Sequence, residues 1–237
     1  MSGRISSKVF IPSPYAGEPK PGKSTHRRKL ALADISHKDY LFLRRLATTL
    51  PMDASLRLSV RHFESPGIWR QTSLEQDVLD LHVVTEYLTT YFGYHIDLIV
   101  AHSRGTILAV RWLCTTEEGK SVSGFVNVSG RYRIRTKVYP EDIDTSANFD
   151  GSLVESTFPQ RTDILTTHGV LDRTVPVYDA MLYVKTLSKR YPGTHSLHLM
   201  ENTDHNCTGR YDEVDSQLKG KLQSGVWKGT EDVKGKL

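Results

Sequence analysis

Cysteine is scarce in this chain, with two residues, Cys114 and Cys207, among 237. Neither sits in a CxxC pair or at metal-ligand spacing from histidine. A disulfide framework and a zinc site are therefore not indicated, and two reduced thiols in a cytosolic protein are expected. No run approaches the ~18 consecutive apolar residues that a membrane-spanning helix requires. The N-terminus has basic residues but no apolar stretch behind them, so no secretory signal is expected there. Glycine-rich phosphate loops of the GxGxxG and GxxxxGK[ST] types are missing, which removes support for nucleotide binding, and no internal repeat is present. Neither charge sign dominates strongly. The net charge is +4, and much of the surplus lies near the ends, at Lys20, Lys23, Arg27, Arg28 and Lys29 and at Lys219, Lys221, Lys228, Lys234 and Lys236. Without interleaved aromatics these ends read as solvated, and no nucleic-acid partner is expected.

What is present is an alternation of strands and helices over a length that suits one core. Residues 1–28 are expected to form a flexible, proline-rich segment with a possible edge strand at Lys8–Ile11. Residues 29–222 are expected to hold the folded domain, and 223–237 a disordered basic tail. Within the domain, strands are expected at Lys29–Ala33, Arg57–Phe63, 96–101, Ser123–Gly130, Asp163–His168 and Ser196–Met200. Helices are expected at His37–Leu50, from a Thr72 or Ser73 cap to about Tyr91, at 104–116, from Pro176 into Val177–Tyr191, and at 211–222. Residues 131–161 read as an irregular surface excursion. The order implies an α/β fold, a mostly parallel sheet with helices on both faces, whose chemistry gathers at the carboxyl ends of its strands.

The most informative stretch is Ile96–Leu113. A β-branched apolar run breaks at His102-Ser103-Arg104-Gly105 and resumes with a helical apolar spacing. In a small-x-Ser-x-small pentapeptide between strand and helix, the serine sits in strained backbone geometry, and Ala101 and Gly105 are small enough to let the two elements approach. Ser103 is thus a candidate nucleophile, although serine is also an ordinary N-cap. The backbone N–H of Arg104, at the start of the helix, could serve as an oxyanion donor.

Two later strand ends carry the partners such a serine needs. His168-Gly169-Val170-Leu171-Asp172-Arg173-Thr174-Val175-Pro176 offers Asp172, and Glu201-Asn202-Thr203-Asp204-His205-Asn206 offers His205. The order Ser103, Asp172, His205, with gaps of 69 and 33 residues, is the serine–acid–histidine order of one hydrolase architecture. His205 is expected to take the proton of Ser103 and return it to the leaving group, with Asp172 holding its tautomer. Asp204 competes as the acid, but a neighbour on a turn usually points away from the ring, which favours Asp172. His102 is expected to pack beside the site, and His168 could support the acid. His62, His82, His95, His195 and His198 are not candidates, and Trp69, Trp112 and Tyr132 read as packing residues.

The segments AHSRG, HGVLDRTVP and ENTDHN resemble the nucleophile, acid and histidine motifs of the α/β-hydrolase superfamily. The subgroup most similar in His37–Tyr40, Glu64–Gly67 and Arg111–Cys114 is that of intracellular fungal hydrolases of esterase-like and serine-aminopeptidase-like type. The resemblance spans about residues 29 to 213. It implies cleavage of a small carboxylic ester or related acyl bond through an acyl-serine, in the cytoplasm and without a cofactor or metal. Three departures from the superfamily pattern stand out. Leu32-Ala33-Asp34-Ile35-Ser36 lacks the glycines of the loop that supplies the second oxyanion donor, and Asp34 would bring negative charge near that oxygen. The turn before Glu64 is contracted, and the cap region between Gly130 and Asp163 is short. Loss of one oxyanion donor typically costs about 10²–10³ in turnover. The resemblance therefore leaves open an alternative, a catalytically weak or silent relative of these hydrolases.

Overall fold

Hydrophobic runs buried on both sides make parallel strands, and the computed structural model shows this arrangement. It describes residues 28–33, 42, 45, 54–57, 74–132 and 152–223. Among them, β1 (Arg28–Ala33), β2 (Ala54–Arg57), β3 (Tyr94–His102), β4 (Gly124–Val128), β5 (Asp163–Gly169) and β6 (His195–Met200) form one sheet in the order β2-β1-β3-β4-β5-β6. Every pair is parallel. The helices are α1 (Leu74–Phe92), α2 (Arg104–Thr115), α3 (Glu117–Lys120), α4 (Ser152–Ser156), α5 (Val177–Leu187) and α6 (Tyr211–Gln223). The expected α/β class is observed. Among the described residues no helix is long and apolar enough to cross a membrane.

The core lies on both faces of the sheet. On one face, α1, α2, α4 and α5 pack Leu81, Leu108, Trp112, Leu113, Val154 and Tyr183, with Phe158 from the turn after α4, against Ile99, Phe125 and Ile164. On the other, Val214 and Leu218 of α6 pack with Phe42 and Cys207 against Leu98, Val100, Val126 and Leu165. A bulge in β3 sets which residues face which side. Leu30 lies opposite Ile96 but Ala31 lies opposite Leu98, so Asp97 is the extra residue. That resets the alternation and puts Ile96 on the same face as Ile99 and Ala101. Asp97 fixes the kink by accepting from the Ser123 hydroxyl at 2.9 Å and, through its carbonyl, from the Ser123 N–H at 3.2 Å.

A row of buried polar groups crosses the sheet beneath α2. The Thr106 hydroxyl donates to Asn127 Oδ1 at 3.2 Å, the Asn127 amide donates to Thr166 Oγ1 at 3.4 Å, and Thr166 Oγ1 meets His195 Nε2 at 2.9 Å. Burial, with the Arg190 and Lys221 cations near it, pushes the His195 imidazole down to about 4. It therefore stays neutral near pH 7, in keeping with a structural role.

The structure corrects several expected elements. The second strand among the described residues is Ala54–Arg57, and of the expected Arg57–Phe63 strand only Arg57 lies among them. The helix after Pro176 ends at Leu187 rather than Tyr191. The 131–161 excursion contains α4, and Tyr132, Val154 and Phe158 are core residues. Tyr132 is tied in by its N–H to Asp179 at 3.0 Å and by its hydroxyl to Glu155 and Thr186. Arg28, expected to end the N-terminal segment, begins β1, and Gln223, expected to begin the tail, ends α6. The rest of the 1–28 segment with its Lys8–Ile11 strand, the rest of the 223–237 tail, Trp69, His62 and most of the His37–Leu50 helix lie outside the described residues. Of that helix, Phe42 is buried and Arg45 is paired with Asp215 at 3.0 Å.

Trp112 is fully buried in the larger of these clusters. Trp112→Ala is expected to cost about 3–5 kcal/mol of unfolding free energy by removing its packing and leaving a cavity. Urea denaturation of the two proteins measures it.

Candidate active site

The order β2-β1-β3 means that the chain leaves β1 toward one sheet edge for β2 and then returns to β1's other side for β3. The crevice at such a reversal is where ligands bind in open parallel sheets. β3 ends in this crevice, and Ser103 follows it directly. Its φ of 54° and ψ of −120° are the strained geometry expected from the pentapeptide. Two contacts hold that conformation. The Ser103 N–H donates to the Val128 carbonyl at 2.9 Å, and its own carbonyl accepts from Thr106 N–H at 3.1 Å in the first turn of α2. No side-chain capping bond comes from Ser103 to the helix, so its hydroxyl is not acting as an N-cap.

The loops after β5 and β6 meet the serine from one side. His205 Nε2 lies 2.8 Å from Ser103 Oγ, and His205 Nδ1 lies 2.8 Å from Asp172 Oδ2. The loops are laced together through their backbones. Val170 N–H donates to the Met200 carbonyl and Leu171 N–H to the Thr203 carbonyl, both at 3.0 Å. Gly169 makes the approach possible, because a Cβ there would collide with the carbonyl oxygens of Thr203 and Asp204.

Asp172 has a fully buried carboxylate with several donors. Oδ1 accepts the N–H groups of Thr174 and Val175 at 2.8 Å each. Oδ2 takes His205 and also lies 3.3 Å from His168 Nε2. Burial pushes this carboxyl up, but the bonds from His168, His205 and Val175 outweigh it and hold it well below the usual carboxylate range. An ionised Asp172 can only accept, so His205 Nδ1 carries the proton. In the neutral ring Nε2 is then the acceptor for the Ser103 hydroxyl. The competing acid, Asp204, faces elsewhere, with Oδ1 accepting from Asn206 and Thr208 N–H groups at 3.1 and 2.9 Å.

Arg104 opens α2, with its backbone N–H at the positive end of that helix beside Ser103. Its guanidinium pairs with the fully buried Asp77 of α1 at 2.6 Å. This tie was not anticipated, although a carboxylate beside the Leu74, Val78, Leu81 stripe was a readable signal. Of the Leu32–Ser36 run, Leu32 and Ala33 end β1, with Ala33 opposite Val100. Asp34, Ile35 and Ser36 lie outside the described residues. His168 is buried against the acid, as expected, and shares its Nε2 proton with the Val175 carbonyl at 3.0 Å. His102 sits beside the site and bonds to the main chain of His205. The thiols do not compete as nucleophiles: burial pushes Cys114 up to about 11 and Cys207 up to about 12. Among the described residues no three His, Cys, Asp or Glu side chains gather as a group able to hold a metal ion.

Comparison with solved structures places this architecture in a known class, the α/β-hydrolase fold. Similar chains include Est1E from Butyrivibrio proteoclasticus, solved with ferulic acid bound, at a TM-score of 0.69 and 14% identity over 86% of this chain and 92% of that one. XC6422 from Xanthomonas campestris, a serine hydrolase without a lid, matches at 0.63 and 14% over 86% and 85%. A serine hydrolase homologue from Coxiella burnetii matches at 0.62 and 16% over 85% and 88%. No family model matches the chain. Among curated sequences, the uncharacterized protein YDL057W of Saccharomyces cerevisiae is 26% identical over 61% of this chain, and the match spans about half, 55%, of the yeast protein's length.

The depressed Asp172 carboxyl predicts how stability varies with pH. Its native value lies below the unfolded value of about 3.9, so its stabilisation is complete above that value and fades as pH falls toward the native one. The unfolding free-energy gap between the wild type and Asp172→Asn is expected to be widest above about pH 5 and to narrow below about pH 4. Urea titrations on either side of that window check it.

Proposed function

We propose that this protein is a serine hydrolase that cleaves a small carboxylic ester or related acyl bond through an acyl-serine. The reading rests on the chain Ser103–His205–Asp172, with two successive contacts of 2.8 Å. Ser103 Oγ attacks the carbonyl carbon while its proton passes to His205 Nε2, and the imidazolium is stabilised by the ionised Asp172. The carbonyl oxygen becomes an oxyanion, which the Arg104 N–H stabilises at the start of α2. Collapse of this intermediate expels the alcohol, which takes the proton from Nε2. Water then attacks the acyl-serine by the same route in reverse, releasing the acid and restoring the hydroxyl. No step requires a cofactor.

The fold and the esterases among its structural neighbours support this reading. A catalytically silent relative is the weaker alternative, because it has no use for a serine held at φ 54° with its hydroxyl on an imidazole. Such strain costs of order 1–3 kcal/mol and persists where the surroundings enforce it.

A fluorophosphonate probe is expected to label Ser103 in the folded protein, and Ser103→Ala to abolish both labelling and p-nitrophenyl ester turnover with little change in thermal stability. Asp172→Asn is expected to lower kcat by about 10⁴, since the imidazole then loses its enforced tautomer. A folded wild type that neither labels nor turns over any ester of graded chain length overturns the proposal.

A further inference from the structure

We propose that His102 is a positioning residue for His205, holding the backbone of the base at the height where its ring meets Ser103. The inference rests on the roles given above to Ser103 and His205. The residue before Ser103 closes β3 and is buried, and its Nε2 lies 2.9 Å from the His205 carbonyl oxygen. A carbonyl only accepts, so His102 Nε2 carries the proton and donates it. The ring is confined on two sides. It lies 4.9 Å from the His205 ring, tilted by 44°, and meets the buried Phe42 edge-on at 6.0 Å.

The loop of His205 is thereby gripped from two strands. The segment just after β5 holds it on the acid side through Leu171 N–H and the Thr203 carbonyl, and the end of β3 holds it on the serine side through His102. Release on the serine side lets the base drift from Ser103 Oγ while leaving the substrate's own contacts in place. A displacement near 1 Å at such a distance costs about 10²-fold in rate.

Three substitutions separate the hydrogen bond from the packing. His102→Phe keeps a ring against Phe42 and His205 but has no donor. His102→Gln places an amide N–H near the Nε2 position. His102→Asn reaches only the Nδ1 position, and it replaces the Phe variant should that one not fold. On p-nitrophenyl esters, Phe and Asn are expected to lower kcat roughly 10- to 100-fold with KM within about twofold, and Gln to recover most of the loss. Independently of turnover, the low-field proton resonance of His205 Nδ1–H on Asp172 should shift or broaden in the Phe and Asn variants and persist in Gln. Wild-type kcat and an unchanged resonance in the donor-less variants overturn the proposal, as does a Gln variant as impaired as Phe, or a rise in KM alone. A wild type that neither turns over ester nor labels overturns the nucleophile assignment instead, and the resonance still decides the role of His102.

Discussion

The backbone ladder that ties neighbouring strands continues past the strand ends, and the geometry of the site follows from it. Ser103 N–H reaches Val128, Ser129 N–H reaches Thr167, Val170 N–H reaches Met200 and Leu171 N–H reaches Thr203, all at 2.9–3.0 Å. Each bond links a carboxyl-end loop to the next strand or loop across the sheet. Parallel strands require crossover connections, so every strand ends at the same edge. The laced loops make that edge a rigid rim. Three side chains separated by 69 and 33 residues in sequence can therefore hold contacts of 2.8 Å without any cross-link between them.

Local electrostatics then fix the direction of the proton. A buried carboxyl would ordinarily resist ionisation, yet the donors around Asp172 reverse that tendency. Two of these donors are backbone N–H groups of the turn from Asp172 to Val175, which exists because Pro176 launches α5 at once. The third is His205 itself and the fourth is His168. The turn that shapes the loop thus also keeps the acid charged, and the charged acid selects the His205 tautomer that leaves Nε2 facing Ser103.

Much of this was legible in the sequence, and the limits have physical causes. The strands β3, β5 and β6 are legible to within two residues, because β3 is a continuous apolar run, Leu197 and Leu199 alternate in the edge strand β6, and a turn-rich segment follows each strand. The Ala54–Arg57 strand went unread because its four residues show little apolar alternation, and its pairing with β1 is what defines it. α5 was drawn too long because its apolar spacing runs on to Tyr191, but the residue before a proline disfavours helix, and Arg190 turns to the Pro159 carbonyl. Val154 and Phe158 looked like surface residues because four- or five-residue helices carry too little periodicity to read. The order Ser103, Asp172, His205 and the support of Asp172 by His168 four residues before it were readable, but the tie of Arg104 to Asp77 was not, since it joins two helices whose packing no sequence spacing announces.

The two positions that a small-x-Ser-x-small pentapeptide leaves unspecified are occupied here by residues with opposite attachments. His102, before the serine, reaches the loop of His205, while Arg104, after it, reaches the buried Asp77 of α1. A backbone as strained as that of Ser103 relaxes unless both flanks are restrained, because rotation about either adjoining residue would relieve it. The packing of α2 alone restrains only the helical side, through Ile107, Leu108 and Trp112. The strand side is held by the pairing of β3 with β4 and by Ser103 N–H on the Val128 carbonyl, and the hydrogen bond from His102 adds a link whose far end is the backbone of His205. Ser103 is thus joined to His205 through its neighbour His102 as well as through the hydroxyl–imidazole contact.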